Sequence, residues 1–282
     1  MSEGITHTAV VDDCARLAVH APDMCGAVKL CLAEHRDVAR LGGITRHGDR
    51  HTVGLLTSLR DRWPPGEDTS LAPKLAFVLG WLAHRAADRQ MKPLFRRLDP
   101  DCPRSPTDCS VYHDVCVLGE VYGPGTRFPP ELLGDPHAAE DALCAAWQRM
   151  LLRMHTFIPD DQAVESWLDQ VIALRQRLRV DLRRYAEALA RPDPEKVRRF
   201  LTEPCFYHAA DPLLLLARAL QRDEAPPMGL TEALAAEPRS HYARAVRRAY
   251  GYVQAASAFF DREVDEGELR HRLEIGRPEL AG

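Results

Sequence analysis

Around Leu75, Phe77, Val78, Leu79, Trp81 and Leu82 the chain is apolar on nearly every side, and polar side chains enter only from His84 onward. A stretch this long without two-residue alternation predicts a helix with a largely buried body. It begins near Ser70 and reaches Arg89 or beyond. Pro93 must kink it, end it or open a new turn.

The same reading predicts helices along the whole chain, because Ala, Leu, Arg and Glu abound and no Asn-Gly or Asp-Gly hairpin separates alternating runs. A first helix runs from Thr6 or Thr8 to Val19. A second runs from about Met24 to Leu41 and is ended by Gly42-Gly43. A short one spans roughly Thr52 to Arg62. Ser105-Pro106-Thr107-Asp108 reads as a cap for a helix that carries Tyr112-His113-Asp114 and stops at Gly123-Pro124-Gly125. Further helices are expected near 136–157, 161–190, 195–202, 211–222, 229–236, 239–261 and 264–273. The fold class is all-α, a multi-helix bundle, with 1–282 as a single helical domain. Any subdivision falls after Tyr122, giving a metal-site half, 1–125, and a helical C-terminal half, 126–282.

Composition narrows the function classes. The net charge is −4 over 282 residues, with no long basic stripe, so nucleic acid is not an expected partner. No apolar run approaches the length of a membrane span, and no apolar leader follows Met1, so the expected compartment is the cytoplasm. The eight cysteines include no Cys-x-x-Cys pair and read as buried free thiols. Tyr242, Tyr250, Phe259 and Phe260 at helical spacing suit core packing or the seam of a homodimer.

Chemistry concentrates in the first half. His84 and Asp88 lie one turn apart on one helix face. On an apolar helix both need partners, since an unpaired buried polar group costs several kcal/mol. One divalent metal ion would satisfy both, and so would a side-chain hydrogen bond. Other candidate ligands are His7, the loop residues His47, Asp49 and His51, and His113 with Asp114. Glu120 follows His113 at i+7 on the same predicted helix. Mixed imidazole and carboxylate donors suit zinc, manganese or iron without thiolate. Gathered at one place they would acidify a bound water and neutralise phosphoryl oxygens. Arg85, Arg89 and Lys92 nearby could hold phosphate oxygens, or form a solvated face.

Thr6-His7-Thr8, a ligand-rich loop, and Leu79-Gly80-Trp81-Leu82-Ala83-His84-Arg85-Ala86-Ala87-Asp88 together resemble the bacterial zinc-dependent phospholipase C family and its S1/P1 nuclease relatives. The resemblance covers roughly residues 5–122. It implies an all-helical fold with zinc ions held among helices and a helical His-x-x-x-Asp as hallmark. His7, His84 and Asp88 carry over most directly. His47, Asp49 or His51 would stand for a loop ligand, His113 for a later histidine and Glu120 for its carboxylate. Secreted members begin with a leader and a zinc-binding N-terminal Trp, features this sequence does not show. HD-domain phosphohydrolases offer a second resemblance through His84, His113-Asp114 and a later Asp160 or Asp161.

The expected function is therefore hydrolysis of a small-molecule or lipid-like phosphoester by metal-activated water. Asp88, Asp114 or Glu120 is the candidate general base. The rival expectation is a non-catalytic helical interaction protein whose His and Asp residues are structural.

Overall fold

The long apolar stretch forms one helix, Leu71–Leu98, in a computed structural model that describes residues 4–44, 51–64, 70–100, 107–123 and 182–276. Regular structure among the described residues is entirely helical, as expected: twelve α-helices and two π-helical turns, with no strand. In chain order the α-helices are α1 (Gly4–His20), α2 (Gly26–Glu34), α3 (Arg36–Ile44), α4 (Thr52–Arg60), α5 (Leu71–Leu98) and α6 (Asp108–Val117), then α7 (Leu182–Ala190), α8 (Pro194–Val197), α9 (Pro212–Gln221), α10 (Leu230–Ala235), α11 (His241–Phe260) and α12 (Glu266–Arg272). The π-turns Leu118–Tyr122 and Arg198–Thr202 prolong α6 and α8. The helices expected near 136–157 and over 161–181 lie outside the described residues.

Helix α5 is the axis of the core. It is buried from Leu71 to Phe95 on most of its faces and packs against α1, α2, α3, α4 and α11. Pro93 sits inside it. A proline there removes one backbone N–H and leaves the Arg89 carbonyl without its helical donor. Burial of Met91, Leu94 and Phe95 on either side holds the helix on course through that defect.

The helix expected from Met24 to Leu41 is divided at His35, and Gly42-Gly43 lie inside α3 rather than beyond its end. These glycines serve packing. A Cβ on Gly42 would stand 2.1 Å from the Phe77 carbonyl oxygen, and one on Gly80 would stand 1.9 Å from that of Ala39. The two helices are thus notched into each other, backbone against backbone. Gly43 admits Val11 of α1 in the same way, with 2.5 Å between its missing Cβ and Cγ2. The result is a three-helix junction, α1–α3–α5, tighter than side-chain packing allows.

Polar groups buried in α1 tie it to distant elements. Asp12 and Asp13 are fully buried. Asp12 accepts two hydrogen bonds from Arg40 of α3, at 2.8 and 3.0 Å, and one from the Tyr122 hydroxyl at 2.7 Å. Asp13 accepts from Arg16, from Arg218 of α9 and from the Tyr242 hydroxyl of α11. A buried carboxylate is tolerated only when paired in this manner.

One cluster of buried apolar side chains runs from Ile5 to Leu273 and includes Tyr242, Tyr250, Phe259 and Phe260. Those four aromatics are core side chains of a single chain, the first of the two roles their spacing suits. A smaller cluster, Phe95, Cys109, Val111, Tyr112, Tyr185, Ala188 and Phe200, joins α5 and α6 to α7 and to the π-turn after α8. The six described cysteines are all free thiols. No helix among the described residues is long and apolar enough to cross a membrane.

Candidate metal centre

The glycine notch between α3 and α5 decides what surrounds His84. It brings the Gly43 carbonyl to 2.8 Å from His84 Nδ1. A carbonyl only accepts, so Nδ1 carries the hydrogen and Nε2 is the ring atom turned toward Asp88. Nε2 lies 3.2 Å from Asp88 Oδ2, one turn further along α5. From α1, His7 Nε2 lies 3.3 Å from Asp88 Oδ1. The two imidazoles stack with centroids 4.5 Å apart. Among the described residues, His7, His84 and Asp88 are the one group of His, Cys, Asp or Glu side chains whose ligand atoms lie close enough, within 4.8 Å of one another, to hold a metal ion.

Charge around Asp88 is strongly positive. Lys92 Nζ stands 2.7 Å from Oδ2. Burial pushes the Asp88 carboxyl upward, but the charges and hydrogen bonds of His84 and His7 outweigh it and hold the group well below the usual carboxylate range. The group has a closed side and an open one. His7 is 7% exposed at its side chain, whereas Asp88 keeps 25% of its side chain accessible.

His113 and Asp114 do not join this group. His113 is fully buried, lies flat on the Phe206 ring at 3.8 Å between centroids, and donates from Nε2 to the Phe200 carbonyl at 3.1 Å. Asp114 Oδ1 accepts from the Thr6 backbone N–H at 2.7 Å and from the Thr6 hydroxyl at 2.8 Å, and Oδ2 accepts from Tyr185 at 2.9 Å. The structure does not bring these expected ligands, or Asp114 as the expected base, to His7, His84 and Asp88: His113 Nε2 and both Asp114 oxygens have partners elsewhere. The shared face of His113 and Glu120 is also corrected. The helix widens to π geometry at Leu118, which turns Glu120 into solvent while His113 stays inside. For the HD-type resemblance, His113 and Asp114 are not in the group that holds His84, and Asp160 and Asp161 lie outside the described residues.

His51 occupies the position before Thr52 at the start of α4 and is not in the group. His47 and Asp49 lie outside the described residues. Arg85 and Arg89 turn neither to phosphate nor to solvent. Arg85 donates to the carbonyls of Leu273 and Glu274, at 2.9 and 2.8 Å, and Arg89 pairs with the Glu274 carboxylate at 3.2 Å. The partner that sequence reasoning missed is the Gly43 carbonyl. Its only signal was the glycine set 42, 43 and 80, of which Gly42-Gly43 read as the end of a helix and Gly80 as part of the central one. Compared with protein-family models, curated proteins and solved structures, the chain finds no match in any of the three.

Proposed function

We propose that His7, His84 and Asp88 hold a divalent metal ion, zinc by preference with manganese or iron as alternatives, and that the protein is a hydrolase of phosphoesters with a fold of the zinc-dependent phospholipase C type. The observation that carries this reading is the convergence of two imidazole nitrogens and a carboxylate from α1 and α5 within 4.8 Å. The donor set fits such an ion. Two histidines and one carboxylate are a common three-ligand set that keeps a further position open. The Gly43 carbonyl on His84 Nδ1 is the outer partner that orients a ligating imidazole.

A divalent ion bound there would supply Lewis acidity, drawing charge from a phosphoryl oxygen and acidifying water. The chain's own groups would do the rest. His7 and His84 present Nε2 and Asp88 presents its carboxylate. Both Asp88 oxygens are engaged by His7, His84 and Lys92, so its part is to hold rather than to move a proton, which withdraws it as general base. Lys92 adds positive charge beside the open side, which suits an anionic substrate.

Lys92 also favours a second reading. Its ammonium already neutralises Asp88, so His7, Asp88, His84 and Lys92 can form a closed hydrogen-bonded network in a non-catalytic helical protein. Metal content separates the two. Protein prepared without a polyhistidine tag is expected to carry near-stoichiometric zinc, manganese or iron. His84→Ala and His7→Ala should lose it, together with chelator-sensitive hydrolysis of bis(p-nitrophenyl) phosphate. A metal-free wild type with no such hydrolysis after zinc is added, and variants that are merely less stable, would leave the closed network standing.

A further inference from the structure

A second chemical feature lies away from the metal centre, where α11 and α12 meet α5. A groove of about 460 Å³ there is lined by Arg244, Arg247, Arg248 and Arg272, with Glu274 as the only carboxylate among the described lining residues. The first three recur at i, i+3 and i+4 and so share one face of α11.

The pairing of these arginines is weak. Arg247 meets Glu237 at 3.4 Å and Arg272 meets Glu268 at 2.8 Å, and both carboxylates are well exposed. Surface pairs of this kind release their guanidinium at little cost. The Arg244 guanidinium has no carboxylate or hydrogen-bond partner among the described residues.

The inner end of the groove already reads an oxyanion. The Glu274 carboxylate is met there by Arg89 at 3.2 Å, by Arg248 at 3.6 Å and by the Tyr252 hydroxyl. Arg85 clamps the backbone that bears it, and Glu274 itself has a φ of 53°, in the left-handed region a non-glycine residue seldom adopts.

The floor of the groove points the same way. Gly251 lies in the middle of α11 and is exposed, and a Cβ on it would meet nothing within 4 Å. Packing therefore does not require this glycine, which costs the helix about 1 kcal/mol against alanine. Its effect is a bare stretch of backbone one turn beyond Arg247 and Arg248.

We infer that this groove binds a compact polyanion, an oligophosphate or the di- or triphosphate chain of a small molecule. Guanidinium forks match phosphate oxygens two at a time, and four of them surpass what a single carboxylate needs. The volume suits a small ligand. Among the described lining residues the one aromatic ring, Tyr252, is buried and turned to Glu274, so these residues offer no ring face to a nucleobase. Recognition rests on the phosphates. This inference is independent of the metal centre.

Isothermal titration with sodium tripolyphosphate at 0.15 M salt tests it. The titration is run with and without excess EDTA, since the probe also chelates metal. Micromolar binding that survives EDTA is expected. It should weaken at least tenfold in Arg244→Gln/Arg247→Gln, whose side chains lie outside the core. Gly251→Leu should abolish it by filling the floor while the unliganded melting temperature is kept or raised. No binding at 1 mM probe, equal affinity in the double variant, or binding that disappears with EDTA would overturn it.

Discussion

Asp114 accepts three hydrogen bonds, two from Thr6 at the first turn of α1 and one from Tyr185. Thr6 supplies one of the backbone N–H groups that a helix start leaves unpaired, and a negative charge is favoured there. The next residue is His7, so Asp114 fixes the start of the helix that aims His7 at Asp88 without touching the group itself. Asp114→Ala should destabilise the fold by about 3 kcal/mol in urea titrations, because buried donors lose a charged acceptor. It should also weaken zinc binding roughly tenfold, because the helix start that aims His7 loses its anchor. Unchanged zinc affinity would show that His7 is held by other means.

His241 allows a pH test at the same scale. Gln90 donates to its Nδ1 at 2.9 Å, so a proton on that nitrogen would face another donor. Burial, with the charges of Arg244, Arg97 and His113, brings its pKa down to about 4. The unfolded chain, near 6.5, then binds more protons between those values. The contribution of His241 is therefore intact above about pH 6.5 and is lost as pH falls toward 4. Unfolding free energy should drop by about 1 kcal/mol from pH 7 to pH 5, after discount for the ring's partial exposure, and His241→Gln should remove that drop. Part of the candidate site was legible at this scale. His84 and Asp88 are one turn apart in sequence, and an apolar helix made them conspicuous. His113-Asp114 was equally conspicuous, but sequence spacing does not show that a Phe ring, a carbonyl and a helix start already use those atoms.

Among the elements, α3 and α5 determine the most. Their carbonyl oxygens occupy the places where Cβ atoms of Gly42 and Gly80 would lie. Backbone cannot move aside as a flexible side chain can, so Gly80→Ala or Gly42→Ala must push the helices apart. We expect a loss of about 3 kcal/mol or more. Because the same contact brings Gly43 to His84, metal affinity should fall with stability, whereas Gly251→Ala on α11, where a Cβ meets nothing, should stabilise. Equal tolerance of alanine at Gly80 and Gly251 would contradict the notch. Helix existence was legible nearly everywhere among the described residues, since apolar periodicity and capping residues such as Thr107, Ser240 and Asp265 act locally. Three readings needed tertiary context. Gly42-Gly43 looked like a terminus, Pro93 like a kink, an end or a new turn, and residues 118–122 like continued α-helix. In each, packing against a distant element outweighed local preference.

At the scale of the molecule, the candidate metal centre joins the first helix of the chain to the central one, α1 to α5. A ligand that binds only the folded state stabilises it by RT ln(1 + [L]/Kd), about 2.7 kcal/mol at a hundredfold excess over Kd. For a chain of this size that corresponds to roughly 5 °C or more in melting temperature. EDTA-treated protein should gain such a shift when zinc is restored, and the shift should shrink at lower pH as protons compete for the imidazole nitrogens. Lys92 sharpens the comparison, because its ammonium competes with a metal ion for Asp88 Oδ2. If zinc binds, Lys92→Gln removes the competitor, so the zinc-dependent shift should be kept or enlarged. If Lys92 instead completes a closed network, the same substitution leaves Asp88 with less neutralising charge. The protein should then melt lower in zinc and in EDTA alike. The sign of that difference, read by differential scanning calorimetry on the two proteins, decides whether α1 and α5 are joined through a metal ion or through a His7–Asp88 contact that Lys92 supports.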